Sequence, residues 1–223
     1  MVYVVLIGIG VVVCFVLIGV IPFRFARHVK SGKRIVACVG DSNTFGEFLF
    51  PRHKKNYPYL LQKLMPEYQI FNLGVNGSTG KIFSVNTYIK TSSFDESIHL
   101  EPDVVIIILG SNDSKKINWT NKDDFKKEYK ELILQYRKLG NKPEIYIGTP
   151  MYPHGKSYGI DYVNFDDINK SIFEIGVECG IPVIDFYNKT KKYIEYFGFD
   201  KVHLNRKGHL FVAQTICDFI DRY

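Results

Sequence analysis

Cysteine is scarce: the 223-residue chain has four, at positions 14, 38, 179 and 217. Cys14 falls in an apolar leader, which leaves Cys38, Cys179 and Cys217, an odd number without regular spacing. That pattern is not a disulfide framework, and no Cys-x-x-Cys pair suggests zinc. Each of the three stands among apolar neighbours and is expected as a buried free thiol.

Phosphate and dinucleotide loops are missing too. Gly77-Ser78-Thr79-Gly80-Lys81 resembles the end of a phosphate loop, but Val75 stands where the first glycine belongs and Ile82 where Ser or Thr is needed. Gly8-Ile9-Gly10 fails as a nucleotide fingerprint because Val13 replaces its third glycine. A Gly-x-Ser-x-Gly elbow around Ser42 is broken by Thr44. His28, His53, His99, His154 and His209 have no ligand spacing with carboxylates or cysteines, although His154 follows a candidate strand and is a candidate to line a cleft. No cofactor and no metal is expected.

A charge of one sign is also lacking in strength. The formal net charge is only +6, and the lysines at 115, 116, 122, 126, 127 and 130 alternate with Asp123, Asp124, Glu128 and Glu131. This is the pattern of a solvated helix face, and no nucleic-acid partner is expected.

What the chain does have begins with residues 2–23, which contain no charged side chain. At about 1.5 Å per residue this run reaches roughly 30 Å, the thickness of a bilayer core. With no basic residues before it and no small-x-small site after it, it is expected as an uncleaved transmembrane helix over 1–23, not a signal peptide. Arg24, Arg27, Lys30, Lys33 and Arg34 crowd its far side. The positive-inside rule then favours a single-pass membrane protein with its folded domain on the cytoplasmic side, the opposite side staying open. Residues 24–33 form a basic linker and 34–223 the domain.

Within that domain, apolar runs at 34–39, 68–73, 103–109, 144–148 and 182–185 alternate with amphipathic stretches at 57–65, 82–99 (looser), 122–139, 165–179 and 206–222. Five short strands separated by helices predict a three-layer α/β/α domain around a parallel sheet. Reactive groups in such sheets gather at the carboxyl ends of the strands. There stand Gly40-Asp41-Ser42-Asn43, Asn72-Leu73-Gly74-Val75-Asn76-Gly77 and Gly110-Ser111-Asn112-Asp113, with Asp200-Lys201-Val202-His203 ahead of the final helix. Singly these are weak. A Gly-Asp-Ser turn often only caps a helix, Gly77 and Asn112 are ordinary turn residues, and a lone histidine is more often structural. Together and in order, they are far less readily accidental.

These four blocks resemble those of the SGNH (GDSL-type) hydrolase family, named for a Ser, a Gly, an Asn and a His. Ser42, Gly77, Asn112 and His203 match them, the resemblance spanning roughly 34–219. Tyr57-Pro58-Tyr59-Leu60-Leu61 and Glu101-Pro102-Asp103-Val104-Val105 are also similar to stretches of that family. Asn43 departs from it, since many members carry Leu or Ile after the serine.

The resemblance implies a flavodoxin-like five-stranded domain and a serine esterase. It implies Ser42 as nucleophile, His203 as base and Asp200 as its orienting partner. The Ser42 and Gly77 backbone N–H groups and the Asn112 amide would form the oxyanion hole, with Asp41, Asn76 and Asp113 in support. The expected substrate is a small acyl ester, acetyl above all, of a carbohydrate or lipid. An O-acyltransferase with the same triad and a silent carbohydrate-binding domain are the alternatives. The pocket walls are expected from 115–121 and 151–162, where Trp119, Tyr152, Tyr158 and Tyr162 are candidates to stack on a sugar.

Overall fold

The computed structural model describes residues 32–222. The leader expected as a transmembrane helix over 1–23, and most of the linker, lie outside the described residues. Among the described residues no helix is long and apolar enough to cross a membrane.

The five expected strands form one parallel sheet: β1 (Arg34–Gly40), β2 (Tyr68–Gly74), β3 (Val104–Ile108), β4 (Glu144–Gly148) and β5 (Val183–Ile184), in the order β2-β1-β3-β4-β5. Every residue of β3 is buried, as its unbroken Val-Val-Ile-Ile-Ile run requires of a strand covered on both faces. Gly74, Gly40, Ile108, Gly148 and Ile184 are register partners across the sheet. The strands therefore end along one line, and the loops after them open on one edge.

Seven α-helices are described: α1 (Ser42–Phe45), α2 (Tyr57–Leu64), α3 (Ser92–His99), α4 (Lys122–Arg137), α5 (Tyr162–Cys179), α6 (Phe186–Thr190) and α7 (Arg206–Ile220). Strand alternation sorts the core into two layers. Ala37, Val39, Val105, Ile107 and Ile147 pack with Phe125, Tyr129, Leu132 and Tyr136 of α4 and Ile168, Ile172 and Ile175 of α5. Val36, Cys38, Ile106 and Ile108 point the other way, onto Tyr57 and Leu61 of α2 and Val212, Ala213 and Ile216 of α7. Burying each such aliphatic side chain contributes roughly 1.5–3 kcal/mol, so both layers are needed to hold the sheet.

The structure departs from the sequence expectation in three places. The loose 82–99 region is helical only in α3, where Thr91 caps by accepting from the Phe94 N–H. Asp185 does not extend β5; its carboxylate accepts from the Asn188 N–H and starts α6. Of the described cysteines only Cys38 is a buried thiol, while Cys179 and Cys217 are half-buried because their helix faces look partly outward. The expected charged face of α4 is present, its half-buried Lys122, Lys126 and Lys130 paired across to Glu174 and Glu178 of α5. Solvent screening keeps each of those pairs weak.

Candidate active site

Ser42 opens α1 immediately after β1. The Asp41 carboxylate accepts from the Asn43 N–H at 3.0 Å and caps this single turn, which Gly46 ends in the left-handed region at φ 89°. The turn is wedged between strands. A side chain on Gly74 would put its Cβ 2.2 Å from the Phe45 nitrogen, and one on Gly40 would meet Thr44 Oγ1 at 2.0 Å. Asn72 Nδ2 donates to the Thr44 carbonyl at 2.9 Å, and Thr44 Oγ1 shares a hydrogen bond with the Tyr57 hydroxyl at 3.0 Å. Backbone and side chain on both flanks thus fix where Ser42 stands.

His203 and Asp200 lie in the loop before α7. Asp200 Oδ1 accepts from the N–H groups of Val202 and His203, both at 3.0 Å, and Oδ2 faces His203 Nδ1 at 2.5 Å. On the other side of the ring, His203 Nε2 is 2.9 Å from Ser42 Oγ. Burial works to raise the Asp200 pKa, but the imidazole and the two N–H donors outweigh it and hold the carboxyl below its usual range. An ionised carboxylate there keeps the proton on Nδ1 and turns the Nε2 lone pair toward Oγ. Lys201, at φ 61°, gives its carbonyl to the N–H groups of His154 and Gly155 at 2.8 and 3.0 Å, which braces the loop from outside.

Asn43, a departure from the commoner family pattern, has a clear task in this structure. Its Oδ1 accepts from the Leu204 N–H at 2.9 Å, joining the Ser42 turn to the His203 loop directly. Sequence reasoning missed this contact, because nothing in one strand-end motif announces a partner 161 residues away.

Gly77 and Asn112 meet at the same edge. Gly77 has φ 77°, and a Cβ there would find only Asn86 Nδ2, at 3.9 Å; glycine is required by the backbone angle and not by crowding. Asn112 Nδ2 donates to the Ser78 carbonyl at 3.0 Å, using one of its two hydrogens, and its backbone carbonyl accepts from Asn118 Nδ2 at 2.8 Å. Beneath them the buried Asp113 carboxylate accepts from the N–H groups of Gly80 and Lys81 at 2.9 and 2.8 Å, tying the loop after β2 to the loop after β3. The N–H groups of Ser42 and Gly77 meet no acceptor among the described residues.

The family model of GDSL-like lipases and acylhydrolases matches residues 38–210, which spans all four blocks. The chain belongs to this family. An acetylxylan esterase from Xylanibacter ruminicola is 30% identical over 204 residues, covering 81% of this chain and 42% of the relative, so the chain spans about two fifths of that longer protein. Among solved structures, a lipase/acylhydrolase from Enterococcus faecalis is similar at TM-score 0.71 and 23% identity, covering 84% of this chain and 95% of that one. A carbohydrate acetylesterase from Sinorhizobium meliloti is similar at TM-score 0.68 and 18% identity, covering 85% and 99%. At those identities the two structures speak for the fold alone.

In this family member Ser42, Asn43, Gly77, Asn112 and His203 line one cavity of about 210 Å³, together with Glu47, Phe48, Asn76, Ser111, Lys115, Tyr158, Ile160 and Val202. Phe48 and Tyr158 stand edge-on to the His203 ring, with centroids 5.2 and 5.1 Å away, and both hold left-handed backbone angles, φ 60° and 63°. Such angles are uncommon for bulky residues and gather at sites where the surroundings enforce them. Of the four loop aromatics expected to meet a sugar, only Tyr158 reaches the cavity. Trp119 packs on Phe125, Tyr152 on Tyr187 and His154, and the Tyr162 hydroxyl donates to the Gly155 carbonyl. His154 does not line the cavity either; it packs against Phe197, with its ring near the Thr190 carbonyl. Among the described residues no group of three or more His, Cys, Asp or Glu side chains is placed to hold a metal.

Proposed function

We propose that the chain is a serine carboxylic ester hydrolase that removes acetyl or a similarly small acyl group from a carbohydrate. The observation that carries this reading is the unbroken line from Asp200 Oδ2 to His203 Nδ1, and from His203 Nε2 to Ser42 Oγ, with spacings of 2.5 and 2.9 Å. A serine hydroxyl is too weak an acid to attack unaided, and this line gives it a base that is itself oriented.

Ser42 Oγ attacks the ester carbonyl carbon while its proton passes to His203 Nε2. The carbonyl oxygen gathers negative charge opposite the unengaged N–H groups of Ser42 and Gly77 and the remaining Asn112 amide hydrogen. Each such donor is worth about 10²–10³ in turnover. The carbon–oxygen bond to the alcohol then breaks, with His203 returning the proton to the departing oxygen. Water, deprotonated by the same imidazole, releases the acyl group from Ser42 as the carboxylic acid.

A cavity of about 210 Å³ suits a short acyl chain better than a long one. Phe48 and Tyr158, in T-shaped contact with His203 and both lining the cavity, give the departing alcohol an apolar flank. The acetylxylan esterase relative and the carbohydrate acetylesterase of like fold favour the same substrate class. The uncharged run 2–23 supports tethering beside a membrane.

The test is hydrolysis of p-nitrophenyl acetate and of acetylated xylo-oligosaccharides by the parent and by Ser42→Ala. Turnover is expected to fall by at least about 10³ in the variant. Equal rates in the two proteins would sink the reading.

A further inference from the structure

Lys115 is a cation in the cavity without a partner. It follows the turn at Asn112–Ser114, and its backbone is tied down three ways: its N–H donates to the Asn112 carbonyl at 3.3 Å, and its carbonyl accepts from Asn118 and Trp119 at 2.8 and 2.9 Å. The residue is half-buried and lines the same cavity as Ser42 and His203. Among the described residues it makes no ion pair and no side-chain hydrogen bond.

The neighbouring lysine in space shows the contrast. Lys81, buried against the same loop, has its ammonium met by Glu128 at 3.3 Å, the Asn118 carbonyl at 3.2 Å and Thr120 Oγ1 at 3.0 Å. The fold pairs the lysine it buries for structure and leaves Lys115 without an ion pair in the cavity that holds Ser42.

The acidic groups around Lys115 are engaged elsewhere. Asp41 acts on it through space, but its oxygens hold the Asn43 N–H and Ser111, and it stands beyond ion-pair distance. Glu47 also lines the cavity and keeps its charge, but it accepts from Asn76 in the loop after β2 and makes no ion pair with Lys115 among the described residues. Asp200 is held by His203. Partial desolvation disfavours the free ammonium, pulling the Lys115 pKa down against the pull of Asp41. An anion brought by the ligand would remove that cost.

We infer that Lys115 recognises a carboxylate on the sugar that carries the ester, so that the preferred substrate is an acetylated acidic sugar of the uronate class. This rests on the ester-hydrolase reading above. One cation, with the Glu47 carboxylate in the same cavity, matches a single negative charge better than a phosphate dianion. The contact is a charge-assisted hydrogen bond, which gives selectivity without taking part in acyl transfer.

The experiment compares kcat/KM for a methyl glucuronoside and a methyl glucoside acetylated at the same hydroxyl, at low and high salt, with p-nitrophenyl acetate as the neutral reference. The parent protein is expected to favour the uronate ester by about tenfold or more at low salt, and the preference is expected to shrink as salt screens the pair. Lys115→Met should abolish the ratio and Lys115→Arg should retain most of it. Equal rates on the two sugar esters, or a preference that survives in Lys115→Met, overturns the inference while leaving the hydrolase intact. Failure on all three esters, p-nitrophenyl acetate included, instead overturns the hydrolase reading and this inference with it.

Discussion

Replacing Asp200 by asparagine separates orientation from packing, because the two side chains have nearly the same shape. Asp200 accepts on Oδ1 from two backbone N–H groups at 3.0 Å and on Oδ2 from His203 Nδ1 at 2.5 Å, and the Tyr158 hydroxyl also bonds to this carboxylate. An asparagine that keeps its oxygen on the backbone pair must present its amide nitrogen, a donor, to Nδ1. The imidazole then keeps its proton on Nε2, which points at Ser42 Oγ and cannot take a second proton. An asparagine turned the other way restores Nδ1 but sets its amide hydrogens against two backbone donors, leaving groups unpaired at about 1–3 kcal/mol each. The first arrangement is the cheaper, so Asp200→Asn is expected to fold almost normally and to lose about 10³–10⁴ in kcat on p-nitrophenyl acetate. Steady-state kinetics at neutral pH, beside a thermal melt, checks both halves. A folded Asp200→Asn protein that keeps more than about a tenth of parental kcat would refute the orientation argument.

Three further outcomes follow from the same geometry. Asn112→Ala should cut kcat by about 10²–10³ with little change in KM, because the amide is used most when charge develops on the ester oxygen; initial rates over a substrate series test it. Gly74→Ala drives a Cβ into the backbone of Phe45 at 2.2 Å and should cost about 2–4 kcal/mol in urea unfolding, with kcat falling as the Ser42 turn shifts. Asp113, raised by burial to about 6 despite its two backbone donors, keeps a proton in the fold that the unfolded chain has already released above about pH 4. Stability contributed at this position therefore falls as pH rises from about 4 to about 6, and Asp113→Asn removes that slope. The stability gap between parent and variant should be widest near pH 4 and narrower at pH 7 in paired denaturant melts.

The sheet was legible because its strands are short, apolar and punctuated by polar turns, and because a fully covered strand such as Val104–Ile108 has no room for polar residues. The weak points of that reading were places where a side chain overrode periodicity. Asp185 caps a helix instead of extending a strand, and Thr91 delays a helix that the looser apolar pattern of 82–99 spreads too widely. The residues expected to converge, Ser42, Gly77, Asn112, Asp200 and His203, were legible as ordered blocks that resemble a family pattern; the register that ends β1, β2 and β3 on one line accounts for the first three, whereas Asp200 and His203 come from the loop before α7. The cavity walls were not legible. Phe48 and Tyr158 reach His203 through left-handed backbone angles that aromatic residues seldom adopt, and Lys115 lines the cavity without an ion pair among the described residues, which no sequence pattern records. The tie from Asn43 to Leu204 was hidden for the simplest reason, the length of chain between them.

That separation bears on when the protein becomes dangerous to esters around it. Ser42 is made early and His203 late, 161 residues behind, so a chain emerging from the ribosome exposes a hydroxyl with nothing to ionise it until the closing helix has docked. On the proposed mechanism hydrolysis is a late-arriving property, and the onset of turnover during refolding or synthesis would serve as a clock for completion of the sheet's final layer.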